Sequence, residues 1–217
     1  MAKMRLLMKK EGLAKYISHL DLMRTMRRAF VRADLPLRHS EGFNPHPLMA
    51  FALPLSVFHD SDCELLDFEP IGGLDTDAFK RLRAALPEGL EVLEIYDSQR
   101  KFGQIRWLRV LCTLHYNAGV QDGAAITLEQ HFSAGPIIIH KRTKRGEADM
   151  DILPMIHRIS FEATENTIVV TAVIAAQNPT LNPAGIIDAI SQLEGFAPDS
   201  ADYRRLEVLD EEFKVFR

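Results

Sequence analysis

Ser18-His-Leu-Asp-Leu-Met-Arg-Thr-Met-Arg-Arg-Ala-Phe-Val-Arg-Ala33 is the stretch on which the fold turns. Its apolar positions Leu20, Leu22, Met23, Met26, Ala29 and Phe30 recur at helical spacing, which predicts an amphipathic helix. Ser18 stands at the N-cap and Asp21 follows three residues on, a capping-box pattern. Upstream, residues 4–9 form a short apolar-basic strand. Downstream come strands at 48–55 and 63–68, a second helix at 75–86 stopped by Pro87, and a strand at 90–96. The order β-α-β-β-α-β over residues 1–100 is the plan of a ferredoxin-like domain.

Residues 101–217 repeat that plan more loosely. Strands are expected at 105–116, 136–140, 156–163, 167–176 and 203–209, with helices at 124–132 and 183–193. Pro183 sits at a favoured first-turn position of the latter. The join falls in the polar stretch 97–103. The expected architecture is α+β, two ferredoxin-like halves in tandem with mostly antiparallel sheets.

The chain's 217 residues, 47% hydrophobic and 26% charged, suit a soluble globular protein with a real core. No apolar run approaches the roughly 18–20 residues of a membrane span, and no apolar signal core follows the N-terminus. The expected location is the cytoplasm. Cys63 and Cys112 are the two cysteines, too few for a disulfide framework, and both sit in strand-like apolar stretches as core thiols would. No iron–sulfur, zinc, phosphate-loop or dinucleotide motif occurs, so no cofactor or metal is expected. Net charge is −4 but uneven: residues 1–60 carry ten Lys/Arg against five Asp/Glu, while residues 61–100 carry four against ten.

Arg24, Arg28 and Arg32 lie at i, i+4 and i+8, hence on one helix face. Guanidinium grips phosphate oxygens in bidentate fashion, so phosphate or RNA contact is one reading. A solvated basic face, or pairing with the acidic segment 61–70, is the other. Lys141, Arg142, Lys144 and Arg145 form a second basic run, placed like a hairpin tip and suited to backbone contacts with nucleic acid.

His39-Ser-Glu-Gly-Phe-Asn-Pro-His-Pro47 is stiffened by two prolines. A stiff loop carrying Ser40, Gly42, Phe43, Asn44 and His46 is a place to look for recognition. Phe43 could stack on a base and Asn44 could bond its edge; equally, Phe43 could staple the loop to the core while Asn44 caps its backbone. Gly42 is expected at positive φ. Ser18, His19 and His46 are weak catalytic candidates, since that role needs them to converge in space. His19 and Asp21, two apart on a helix, point away from one another and cannot form a metal face.

The Ile17-Ser-His-Leu-Asp21 helix start, the arginines after it, the Gly42-Phe-Asn-Pro-His-Pro47 loop and the following Leu53-Pro54 resemble the radical-SAM-linked bacterial domain family of unknown function. The basic run before Asp149-Met-Asp-Ile resembles the family too. Where that family has glycine after the Leu-Pro strand, this chain has Phe58-His59. The resemblance implies association with a separate radical SAM protein, since this chain lacks an iron–sulfur motif. Three functions follow as alternatives: an accessory protein binding tRNA or rRNA for a partner enzyme, a docking module for a radical SAM partner without RNA, or an enzyme using the His-rich N-terminal half. The absence of a catalytic motif weighs against the third.

Overall fold

The computed structural model describes residues 3–143 and 146–217. The chain is mixed α+β with mostly antiparallel sheet and divides into two compact units, Met1–Gln104 with Arg217, and Ile105–Phe216.

In the first unit β1 (Met4–Lys10) leads through a short 3-10 turn into α1 (His19–Arg32), followed by β2 (Met49–Phe51), β3 (His59–Phe68), α2 (Ala78–Ala85) and β4 (Leu90–Asp97). The strands run β4-β1-β3, with β2 paired to β3, and these pairings are antiparallel. α1 starts because Ser18 caps it: its hydroxyl oxygen accepts from the Asp21 backbone N–H at 3.1 Å and its O–H donates to Asp21 Oδ2 at 2.7 Å. Replacing Ser18 with Ala should cost about 1 kcal/mol of stability, read as a lowered thermal midpoint with unchanged secondary structure.

Leu22, Met26, Ala29 and Phe30 of α1 and Leu82 of α2 bury against Leu6, Met8, Leu66, Phe68 and Val92 of the sheet. Phe30 and Phe68 meet at 4.8 Å between ring centroids. Each buried Leu, Met, Val or Phe among them contributes about 1.5–3 kcal/mol of burial.

Three sequence expectations differ from the structure. Leu20 does not join the apolar stripe; it is 66% exposed. Leu20 and Leu22 are separated by about 200° around a helix, so one layer cannot bury both. The strand expected over 48–55 is only three residues long, because Leu53 turns into left-handed backbone (φ 47°) and Pro54 has no N–H to pair. β3, conversely, begins at His59, four residues earlier than the apolar pattern suggests.

The second unit holds β5 (Trp107–His115), α3 (Ala124–Ser133), β6 (Ile138–Thr143), β7 (Gly146–Asp151), β8 (Ile156–Ala163), β9 (Thr167–Ala175), α4 (Ala184–Ser191) and β10 (Ser200–Leu209). Four of these strands form an antiparallel sheet in the order β10-β5-β9-β8. β6 and β7 make a separate hairpin. The basic run therefore begins within a strand: Lys141 and Arg142 belong to β6, while Lys144 and Arg145 lie outside the described residues. Alternation alone did not reveal β7, since Gly146-Glu-Ala-Asp-Met-Asp151 has few apolar residues and pairs only with β6.

Candidate nucleic-acid interface

The loop after α1 is built by its own hydrogen bonds. Arg38 N–H donates to Glu69 O at 2.9 Å and Leu48 N–H to Arg38 O at 2.7 Å, which clamps both loop ends beside the end of β3. Ser40 and His46 then close the neck. The Ser40 N–H donates to His46 O at 2.8 Å, the His46 N–H donates to Ser40 Oγ at 3.2 Å, and Ser40 Oγ lies 2.9 Å from His46 Nδ1. Gly42 adopts φ 121°, a conformation L side chains rarely take. Held in this way, Phe43 projects from the tip with its ring fully exposed. It does not staple the loop to the core. The neck made by Ser40 and His46 does the closing, so no apolar anchor is needed. Asn44 is exposed at the same tip, with its carbonyl 3.4 Å from His46 Nδ1.

On α1 the three arginines differ. Arg24 Nη1 lies 3.0 Å from Asp21 Oδ1, and both side chains are largely exposed. The Ser18 hydroxyl, then Arg24, hold the Asp21 carboxyl below the usual carboxylate range. Arg28 is exposed and makes no hydrogen bond or ion pair among the described residues. Arg32 donates from Nη2 to Ala85 O at 2.6 Å, capping the last turn of α2. Arg24 and Arg28 are therefore the more available cations, and Arg32 has a structural task as well.

Beneath the loop lies a feature that the sequence reading missed. Asp67 on β3 is 2% exposed and forks onto the fully buried Arg5 of β1, with Nε–Oδ1 at 2.6 Å and Nη2–Oδ2 at 3.1 Å. Lys3 Nζ adds a contact of 2.9 Å, and Arg5 Nη2 also donates to Ser98 Oγ and Arg100 O. Phe102 lies against the guanidinium at 4.5 Å. Asp67, Lys3, His46 and Glu69 line a cleft of about 220 Å³. The available signal was a lone charge of each sign inside an apolar strand run, Met4-Arg-Leu-Leu7 and Leu65-Leu-Asp-Phe68.

The structure does not bring Ser18, His19 and His46 together. The Ser18 hydroxyl is spent on Asp21, and His19 packs edge-on against Phe51 at 5.8 Å. His46 lies at the loop neck against Ser40, and no hydrogen bond or ring contact among the described residues joins it to Ser18 or His19. A catalytic trio of these residues is not supported. Among the described residues no group of three or more His, Cys, Asp or Glu could hold a metal ion, and no helix is long and apolar enough to cross a membrane. Both cysteines are buried, and burial pushes the Cys112 thiol up to about 12.

Comparison with known proteins gives a family and a fold. A family model described as "Uncharacterized protein conserved in bacteria (DUF2344)" matches residues 3–183. No curated protein matches. Among solved structures, a Cbf5-Nop10-Gar1 complex is similar with a TM-score of 0.54 at 13% identity, covering 97% of this chain and 50% of the other. An H/ACA ribonucleoprotein bound to a substrate RNA containing 2′-deoxyuridine is similar with a TM-score of 0.51 at 12% identity, covering 98% and 48%. An archaeal box H/ACA Nop10-Cbf5 complex is similar with a TM-score of 0.51 at 11% identity, covering 97% and 49%. The chain spans about half the length of these structures' matching chains, and at such identities the likeness is one of fold.

Proposed function

We propose that this chain, which belongs to the bacterial family described as "Uncharacterized protein conserved in bacteria (DUF2344)", binds RNA and presents it to a partner enzyme. The observation that carries this reading is the loop at 39–47, whose hydrogen-bonded neck holds the Phe43 ring fully in water. Ordering a loop only to expose an aromatic ring gains nothing within the chain; a stacked base would cover the ring. Phe43 is the stacking residue, Asn44 the edge reader, and Ser40, Gly42 and His46 the frame. Arg24 and Arg28, with Arg32 at the helix end, take phosphates. Lys141, Arg142, Lys144 and Arg145 are a second set of backbone contacts.

That similar folds occur in an H/ACA ribonucleoprotein bound to a substrate RNA and in an archaeal box H/ACA sRNP complex supports the reading at the level of fold. Each unit places its main strands in the order fourth-first-third with the second beside the third, and we read the chain as two ferredoxin-like halves, the second carrying an inserted hairpin. The partner implied by the sequence resemblance is a separate radical SAM enzyme.

The test is a titration of labelled bulk tRNA and rRNA fragments with the wild type and Phe43→Ala. Stacking is worth about 1–3 kcal/mol per base, so Phe43→Ala should weaken binding by roughly 5- to 150-fold while leaving the melting temperature unchanged. Wild-type protein that binds no RNA at low salt would refute the proposal. Capture of a protein partner that persists after nuclease treatment would then favour the docking module.

A further inference from the structure

The end of α1 opposite the loop carries a second exposed surface. The 3-10 turn Gly12–Tyr16 leaves Leu13 and Tyr16 in water, and Leu20 follows them on α1. Phe58 reaches the same place from the β2–β3 connection: its N–H donates to Lys15 O at 2.8 Å, and its ring meets Tyr16 edge-on at 5.6 Å. Phe58 is held at φ 70°, left-handed backbone that a bulky aromatic rarely adopts, yet its side chain is 61% exposed. Strain of this kind gathers at functional sites. The fold's interior gains little from this ring, since its described ring contact is with another exposed aromatic.

Cations flank this patch on the α1 side. Lys15 Nζ lies 5.6 Å from the Tyr16 ring centroid, and Leu20, Arg24 and Arg28 continue the exposed stripe at four-residue steps. Asp21 is the one acid in α1 and is already paired with Arg24. Aromatic rings followed by aligned cations are what a single-stranded nucleic acid requires: faces for bases, then charges for phosphates. Ile17 and Ser18 are extended, so the helical part of the path runs from His19 to Arg28, about 14 Å at ~1.5 Å per residue. That helical length alone matches about four stacked nucleotides at ~3.4 Å each.

Resting on the RNA-binding reading above, we infer that Tyr16 and Phe58 form a second base-stacking site, so that a single RNA strand of at least about four nucleotides lies along α1 with bases on this aromatic pair and phosphates on Arg24 and Arg28.

The experiment is fluorescence anisotropy with labelled 12-nucleotide oligouridylate at about 50 mM salt, using the wild type, Tyr16→Ala, Phe58→Gly and Arg24→Glu/Arg28→Glu. Tyr16→Ala and Phe58→Gly should each weaken binding by roughly 5-fold or more. The slope of log K against log salt should be unchanged, because neither removes a phosphate contact. Phe58→Gly should also melt no lower than the wild type, because glycine accepts the left-handed backbone. If both variants bind as the wild type while the arginine double mutant is weakened, the second stacking site is refuted and the RNA reading stands. If the wild type itself binds no oligouridylate and no tRNA or rRNA, both fall. Should Phe58→Gly not fold, Tyr16→Ala alone decides, with its own melting curve as control.

Discussion

Asp67→Asn is expected to destabilise the protein by about 3–5 kcal/mol, the cost of breaking a buried ion pair from one side. The effect should be large because Arg5 is fully buried and its guanidinium meets both oxygens of the Asp67 carboxylate. An amide offers one acceptor where the fork needs two, and it places an N–H₂ donor against a cation. The remaining contacts with Ser98 Oγ and Arg100 O do not replace a negative charge. Lys3, half exposed, loses its partner too but can turn to water. The comparison that isolates the penalty is the apolar pair Arg5→Met/Asp67→Leu, which should recover most of the loss, since well-packed apolar residues often substitute for a buried pair at little cost. Urea unfolding monitored by far-UV circular dichroism reads both variants. A loss below about 1 kcal/mol for Asp67→Asn would mean that water reaches Arg5 and that the pair behaves as a surface bridge. RNA binding in any folded fraction serves as a second readout, because His46 lines the same cleft as Asp67.

That network shows where sequence reading runs out. The helix from Ser18 was legible because its cap and its apolar spacing are local properties, and α1 spans His19–Arg32 with the Ser18 cap in place. The strand pairs Arg5 with Asp67 across 62 residues, and no local pattern announces such a pairing. Asp67 read as one more acid of an acidic strand, although Glu64 and Asp67 are both buried and so cannot belong to a solvated acidic face. Phe43 failed in the opposite sense. An aromatic in a stiff loop suits a staple as well as a stacking residue, and only the closed Ser40–His46 neck removes the need for a staple. Leu20 was lost to the same ambiguity: on a helix with Leu22, one of the two must face outward. The Arg24, Arg28 and Arg32 spacing was legible as a face, but Arg32's hold on Ala85 O depends on how α2 packs, which spacing does not contain.

Arg24→Glu/Arg28→Glu tests what that face does, and its effect on RNA affinity should exceed the roughly 5-fold loss expected at Tyr16 or Phe58. Each phosphate contact on a single strand contributes about 0.7 to the slope of log K against log salt. Losing two contacts should therefore flatten the slope by about 1.4, and at about 50 mM salt that alone weakens binding roughly 60-fold. Reversal to Glu adds repulsion, so the measured loss should be larger still at low salt and should shrink as salt rises. Arg28 is the cleaner half of the pair, because it makes no ion pair among the described residues and its replacement leaves nothing behind. Replacing Arg24 with Glu strips Asp21 of its partner and sets two carboxylates three residues apart in the first turns of α1. Both positions are exposed, so the helix should tolerate this with a small drop in melting temperature, which the Ser18 cap limits. A flattened slope in a folded double mutant would assign the stripe to phosphate. An unchanged slope and unchanged affinity would make these arginines an ordinary solvated face, and the Phe43 loop would then need another source of charge.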